Sequence, residues 1–353
     1  TRKVTLGANV SSVGERAFSG CTALARADLK NVLKIGEFAF EKTALNTVIV
    51  PNSVERIGRG AFWQCDKLAE LTVPFIGERA ADTFNVHFGY IFGANGYAQN
   101  TYAPRSLEKV VVTGGTAVGL NAFMGCAYIK NIELPRTITT VDAHAFDNTY
   151  IESASVPSAA VTALPKASLT DVTVICGSLG GKAFDGFTAL KTACLRGDVQ
   201  VIGNSAFAGC SALESVEFCD GVEEMLEYAF RNCVALKSIK LPDTVTSVAS
   251  YAFAGCKSVT ELTLGNGLEF IGGRAFADCI GLTEVAIPDS VDPRLGIGSG
   301  AFAGCTALKN VSLPSGLTRI GDALFENCTA LVSINIPDTV TALGSAFAGC
   351  TSL

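Results

Sequence analysis

The thirteen cysteines are the residues of this 353-residue chain best suited to chemistry, because thiolates bind metals, attack electrophiles and form disulfides. Structural zinc sites use pairs of the form Cys-x₂₋₄-Cys, and the sequence contains no such pair. Ten cysteines instead lie three residues after a phenylalanine. They are Cys21, Cys65, Cys126, Cys210, Cys233, Cys256, Cys279, Cys305, Cys328 and Cys350.

This spacing predicts a column of thiols that runs through a stack of repeats. Stacked thiols about 5 Å apart satisfy the distance condition for a disulfide, but parallel side chains do not converge as an S–S bond requires. We therefore expect small, buried, free thiols whose S–H groups donate weakly to turn carbonyls. The structural column includes Cys210, Cys233, Cys256, Cys279, Cys305 and Cys328.

The two histidines could serve a nucleophilic site only beside a nucleophile and an orienting carboxylate. His87 follows Phe84 by three residues and so takes a position of the thiol column, whereas the position of His144 before Phe146 predicts exposure. The glycine-rich stretches 177–183 and 296–300 lack the spacing of phosphate-binding or dinucleotide-binding loops. The sequence thus predicts no catalytic residues, no metal site and no cofactor.

Composition excludes several further classes of protein. With 48% hydrophobic and 17% charged residues and a net charge of −6, the chain is neither a disordered tail nor a polybasic nucleic-acid binder. A spanning helix needs roughly 18 consecutive apolar residues, and the apolar runs here are the length of strands. We expect no membrane insertion and no nucleic-acid partner.

A repeat of 22–23 residues organises the chain around the dipeptide Ala-Phe. From Leu236 the unit reads Leu-x-x-Ile-x-Leu-Pro, which alternates as a half-buried strand does, and then continues as a turn or short helical segment that contains Phe253. Phe84, Leu107 and Leu169 fill the two long gaps in the phenylalanine series, which gives about sixteen repeats. One unit cannot bury its own apolar side, so neighbouring units must stack.

The full pattern Leu-x-x-Ile-x-Leu-Pro-x-x-Val-x-x-Ile-Gly-x-x-Ala-Phe-x-x-Cys resembles the BspA-like leucine-rich repeat class. Residues 106–135 match this class as closely as the regular units do, and the segments 73–77 and 88–94 resemble an insert of clostridial members. The resemblance implies a secreted or wall-attached bacterial protein of the adhesin type.

These observations predict an α/β fold consisting of a single leucine-rich-repeat solenoid. Its parallel sheet is expected on the concave side and short helices or turns on the convex side, in one continuous domain over residues 1–353. The array begins inside a unit and stops at Leu353 where the next strand would start. We therefore expect a segment truncated at both ends.

Two surfaces are candidates for a partner. Residues that flank the buried strand positions project outward from the sheet; they are mildly acidic and include no aromatic residue, which is typical of a solvated face or a weak contact. The candidate contacts on this concave face are Glu217, Lys240, Glu261 and Glu284.

The second candidate surface is the irregular, aromatic-rich insertion at residues 75–105. Phe75 and Phe84 keep core positions, whereas tyrosines mixed with amides have the composition of an amphipathic contact surface. The alternative is that these rings pack the insertion onto the stack. The candidate partner-binding residues are Tyr90, Asn95, Tyr97, Gln99 and Tyr102.

The sequence and the resemblance together favour a non-enzymatic protein-recognition module of a secreted or cell-surface protein. A structural spacer that presents another domain is the alternative. Exposed aromatic clusters are expected of a binding module and a uniformly polar surface of a spacer. The expected partner is a host or cell-surface protein or glycan, and the chain is expected to be a monomer.

Overall fold

The computed structural model describes residues 2–80, 86–294 and 296–353, which form two compact units at residues 1–169 and 170–353. In each unit the Leu-x-x-Ile-x-Leu segments form short strands because alternate side chains are buried, as in Ser238-Ile239-Lys240, where only the isoleucine is fully covered. The first unit contains β1 (Lys3–Thr5), β3 (Arg26–Asp28), β5 (Thr47–Ile49), β7 (Glu70–Val73), β8 (Lys109–Val112), β10 (Asn131–Glu133) and β12 (Ser153–Val156). The second contains β13 (Asp171–Val174), β14 (Thr192–Leu195), β16 (Ser215–Glu217), β18 (Ser238–Lys240), β20 (Glu261–Thr263), β22 (Glu284–Ala286) and β23 (Asn310–Ser312).

These longer strands pair in parallel, and equivalent residues of successive repeats lie side by side. Lys3 pairs with Arg26 in the first unit, and Ser238 pairs with Glu261 in the second. The three extra residues near Val291 do not interrupt the pairing of β22 with β23. Glu284 still pairs with Asn310, and Ala286 pairs with Ser312. The insertion in that repeat is absorbed between the strands.

A second parallel ladder of two-residue strands follows the first, where the sequence predicted a turn or a short helical segment. In the repeat that contains Ser247 and Val248, the valine is buried and the serine is half-buried. The first unit contains β2 (Ser12–Val13), β4 (Lys34–Ile35), β6 (Arg56–Ile57), β9 (Ala117–Val118) and β11 (Thr140–Val141). The second contains β15 (Val201–Ile202), β17 (Glu224–Met225), β19 (Ser247–Val248), β21 (Phe270–Ile271), β24 (Arg319–Ile320) and β25 (Ala342–Leu343).

The Ala-Phe segments are turns whose phenylalanine rings stack along each unit. Phe253 lies 4.9 Å from Phe230 and 5.4 Å from Phe276 between ring centroids. The backbone N–H of Phe253 donates to the carbonyl of Ala275 in the next repeat, at 2.7 Å. Side-chain stacking and main-chain hydrogen bonds therefore join the same pairs of repeats.

Helical structure in the described ranges is confined to three 3₁₀ helices, Phe88–Phe92, Tyr97–Tyr102 and Ser158–Ala163. No helix in those ranges has the length and apolar composition needed to cross a membrane. The chain is a leucine-rich-repeat solenoid of parallel strands.

The solenoid has about fifteen turns, one fewer than the spacing of the sequence predicted. Glu70 pairs with Lys109 across β7 and β8, so the insertion at residues 75–105 lengthens one repeat instead of adding another. Leu107 precedes β8 as Leu236 precedes β18; it therefore starts a strand segment and does not stand in the phenylalanine column, and the same holds for Leu169 before β13. Phe84 lies outside the described residues.

Candidate functional site

Tyr90 is buried, which makes the prediction that it binds a partner wrong. Only 6% of its surface is exposed, and it belongs to the 3₁₀ helix Phe88–Phe92, in which every residue is buried. Burial and a hydrogen bond to Glu78 raise the pKa of Tyr90 to about 12. Glu78 also accepts a 2.8 Å bond from Nε of Arg56, so Tyr90 serves to anchor the insertion on the stack.

Tyr97 and Tyr102, by contrast, are exposed at the two ends of the second 3₁₀ helix. Their exposed fractions are 49% and 46%. Gln99 accepts a 2.8 Å bond from the backbone N–H of Asn95, and the side chain of Asn95 accepts a bond from Arg59. The two predicted amides are therefore occupied in holding the loop, although Asn95 itself is exposed.

Asn100, which was not among the residues predicted from the sequence, fixes this helix to the stack. Its Oδ1 accepts a 2.7 Å bond from the N–H of Gly89, and its Nδ2 donates to the carbonyls of Asn121 and Ala122 at 3.1 and 3.3 Å. The side chain is fully buried, and these bonds satisfy both its donors and its acceptor. Exposed tyrosines therefore project from a helix that is tied down at a residue between them.

Tyr128 and Tyr150 extend the aromatic surface beyond the insertion. They are 45% and 57% exposed, and each directly precedes the buried isoleucine of its repeat, so they occupy equivalent positions in neighbouring repeats. The guanidinium of Arg105 lies 5.6 Å from the ring centroid of Tyr128, within the range of a cation–π contact. We call Tyr97, Tyr102, Arg105, Tyr128 and Tyr150 the tyrosine surface.

A cavity of about 250 Å³ lies beside Arg105 and Tyr128 of the tyrosine surface. Its polar walls include Asn100, Thr101, Arg105 and Tyr128, and its apolar walls include Leu107. A cavity of this size accepts one side chain of a partner. Tyr128 could have been noticed in the sequence, because the equivalent position holds tyrosine again in the next repeat, whereas Arg105 gives no such signal.

The strand-face candidates of the second unit are exposed, and three of them belong to ion pairs. Glu217 accepts a 2.9 Å bond from Arg196, and the Nζ of Lys240 lies 3.8 Å from a carboxylate oxygen of Glu261. Pairs as exposed as these contribute little to stability. Glu284 is exposed at the start of β22, and a partner role for these four residues remains a prediction.

Eight of the ten column cysteines are buried, as the sequence predicted, whereas Cys21 is exposed and Cys350 is half-buried. Each of the buried thiols donates to a backbone carbonyl of the preceding repeat, at 3.1 Å from Cys233 to Phe207 and 3.3 Å from Cys256 to Phe230. Burial raises the pKa of these thiols, which suppresses the reactive thiolate. All thirteen cysteines are free.

The histidines do not form a catalytic set. His87 is buried, and burial lowers its pKa. His144 is exposed and contacts Asp147 at 2.9 Å. Across residues 2–80, 86–294 and 296–353, no group of three or more His, Cys, Asp or Glu residues could hold a metal ion.

Comparisons with known proteins agree with this architecture. The sequence profile of the BspA type leucine rich repeat region (6 copies) matches residues 1–81, 98–175, 177–294 and 294–353. A leucine-rich repeat protein from Bacteroides ovatus is similar at 25% identity, with a TM-score of 0.52 over 87% of this chain and 85% of that one. No curated protein matches the chain.

Two further solved structures are similar in sequence but superpose less well. A leucine-rich repeat protein of T. pallidum is 30% identical over 57% of this chain and 78% of that one, with a TM-score of 0.39. A leucine rich cell surface protein of Faecalibacterium prausnitzii is 22% identical over 98% of this chain and 87% of that one, with a TM-score of 0.35. The profile match, which covers nearly the whole sequence, shows that the chain belongs to the BspA-type leucine-rich-repeat family.

Proposed function

We propose that this chain is a non-enzymatic recognition module of a secreted or cell-surface bacterial protein, and that it binds its partner through the tyrosine surface. One observation carries the proposal. Of the five aromatic residues that are exposed in the described ranges, four lie between residues 97 and 150, and the fifth is Phe270. A spacer would have no use for such a concentration of exposed rings.

The chemistry of this surface suits a protein contact. Tyrosine buries a large ring with little loss of side-chain entropy and offers a hydroxyl at its tip, and arginine and tyrosine are over-represented among residues that dominate binding energy. Asn100 holds the helix that presents Tyr97 and Tyr102, so less ordering is needed when a partner binds. The cavity beside Tyr128 offers an anchor point for one partner side chain.

Family membership supports the location and the adhesin-like role. The BspA-type family is found in surface and secreted proteins of anaerobic bacteria. The resemblance of this chain to that family implies contact with a host protein or glycan. The buried, carbonyl-bonded thiols and the exposed His144 leave little on which an enzymatic reaction could be built. Recognition is therefore favoured over catalysis.

Adhesion distinguishes the module from a spacer. Beads coated with the wild-type protein and laid on cultured intestinal epithelial cells should be retained, whereas beads carrying the variant Tyr97→Ser/Tyr102→Ser/Tyr128→Ser should be lost on washing. Phe270→Ser is the matched control, because it removes an exposed ring outside the tyrosine surface. Equal retention of all three proteins, or no retention above blank beads, contradicts the proposal.

A further inference from the structure

A cavity opens on the strand face of β1, β3 and β5, away from the tyrosine surface. Its volume is about 720 Å³, within the usual range of ligand-binding sites. Three cations and one carboxylate line it, on a chain whose net charge is −6. The charged residues are Lys3, Arg26, Asp28 and Lys30.

The arrangement of these cations is unfavourable in the unbound protein. Lys3 and Arg26 are direct partners in the parallel register, and like charges at paired strand positions destabilise a sheet. Within the described ranges, neither residue nor Lys30 forms an ion pair. Elsewhere on the strand faces cations meet carboxylates, as in the 2.7 Å contact of Lys109 with Glu133.

One wall of this cavity is apolar. Ile49 is 63% exposed although it lies on a strand, and it stands beside Pro51. Asn46 and Thr47 add neutral hydrogen-bonding groups to the lining of the cavity. An occupant that satisfies the whole cavity must therefore carry separated negative charges, an aliphatic group and main-chain-like polar groups.

We propose that this basic cleft, formed by Lys3, Arg26, Lys30 and Ile49, binds an extended acidic peptide segment of a partner protein. Side chains on the same face of an extended chain recur about every 6.8 Å, and the long, flexible lysine and arginine side chains on strands about 4.8 Å apart can reach carboxylates at that spacing. A compact phosphate would instead need donors that converge on one point. The opposite face of the peptide supplies an aliphatic side chain for Ile49.

The proposal is tested by fluorescence anisotropy with a fluorescein-labelled peptide of about eight residues, roughly 27 Å when extended, in which Glu alternates with Ser and one central position is Leu. We expect binding that weakens as salt is added, and a loss of at least about tenfold in affinity for Lys3→Glu/Arg26→Glu. Ile49→Ser should weaken binding of this peptide but not of the version with Ser at its centre.

Lys257→Glu/Lys309→Glu is the matched control, since it makes the same change in net charge at exposed lysines outside the cleft. The neutral variant Lys3→Gln/Arg26→Gln provides the same test if charge reversal prevents folding. Unchanged binding by the cleft variants, an equal loss in the control, or equally strong competition by short polyphosphate overturns the proposal. The variant Tyr97→Ser/Tyr102→Ser/Tyr128→Ser should still bind the peptide, so failure of this site and of the tyrosine surface can be told apart.

Discussion

The thiol of Cys256 lies 3.3 Å from the backbone carbonyl of Phe230, to which it donates a hydrogen bond across one repeat. Phe253, three residues before that cysteine, stacks its ring on the ring of Phe230. A single repeat is thus held to its predecessor by a side-chain hydrogen bond and an aromatic contact at the same turn. This relationship explains why phenylalanine and cysteine recur together in the sequence.

Removal of a buried thiol should lower stability. We expect Cys256→Ala to reduce the free energy of unfolding by about 1–2 kcal/mol, because it leaves a small void and removes one of the two hydrogen bonds that the Phe230 carbonyl accepts. Urea denaturation followed by circular dichroism measures the change. Cys21→Ala is the control, since Cys21 holds the same column position but is exposed, and its change should stay within about 0.5 kcal/mol.

The rate at which each cysteine is alkylated should depend on whether its thiol is exposed or buried. In the native protein iodoacetamide should modify the exposed Cys21 first, whereas Cys233, Cys256 and Cys279 should stay unmodified because burial raises their pKa values and blocks access. Peptide mass spectrometry after native and denaturing alkylation reads out each site. Rapid native labelling of the buried thiols would contradict the packing described above.

A phenylalanine of the buried column should contribute more to the free energy of unfolding than an exposed aromatic residue does. Phe253→Ala deletes a fully buried ring between two stacked neighbours and should cost about 3–5 kcal/mol. Phe270→Ala removes an exposed ring and should cost less than about 1 kcal/mol. Equal losses of unfolding free energy in the two variants would show that the column is not the core.

The buried His87 should make stability depend on pH. Burial lowers its pKa in the folded state, although a hydrogen bond with the backbone of Ala94 opposes this shift. As pH falls below about 6.5, the pKa of histidine in the unfolded state, the unfolded chain takes up the proton first. The contribution of His87 to the free energy of unfolding is therefore fully present above that pH and is lost as pH decreases.

The His87→Cys variant isolates this effect, because it replaces the buried imidazole with a thiol that does not take up a proton in this pH range. The free energy of unfolding should decrease less between about pH 7.5 and about pH 5 in this variant than in the wild type. An unchanged slope in His87→Cys would assign the pH dependence to other groups.

The regular repeats were predictable because their determinants are local. Leu236, Ile239 and Phe253 recur at fixed steps, and each buried side chain finds its counterpart in the next repeat. The two-residue strands were missed because Ser247 and Val248 acquire strand character only through pairing with neighbouring repeats. The predicted number of repeats was one too high because Leu107 lies at the spacing expected of the phenylalanine series but occupies the position before a strand.

The candidate site was predictable only in part. Composition identified the aromatic insertion, but it could not separate Tyr90, whose hydroxyl is taken by Glu78, from the exposed Tyr97 and Tyr102. Tyr128 joins the surface through the fold, because stacking brings its repeat beside the insertion. Whether a tyrosine is buried depends on whether the fold supplies a polar partner for its hydroxyl and packing for its ring. Sequence spacing alone does not contain that information.

Recognition through the tyrosine surface is tested most directly by Kd values on an array of purified extracellular host proteins and glycans. Wild-type protein should bind at least one component, and Tyr102→Ser/Tyr128→Ser should bind that component about thirtyfold more weakly, as loss of about 2 kcal/mol at a dominant contact requires. The melting temperature of the variant should not change, because both rings are exposed. Equal Kd values for the two proteins, or no binding by the wild type, would contradict recognition through this surface.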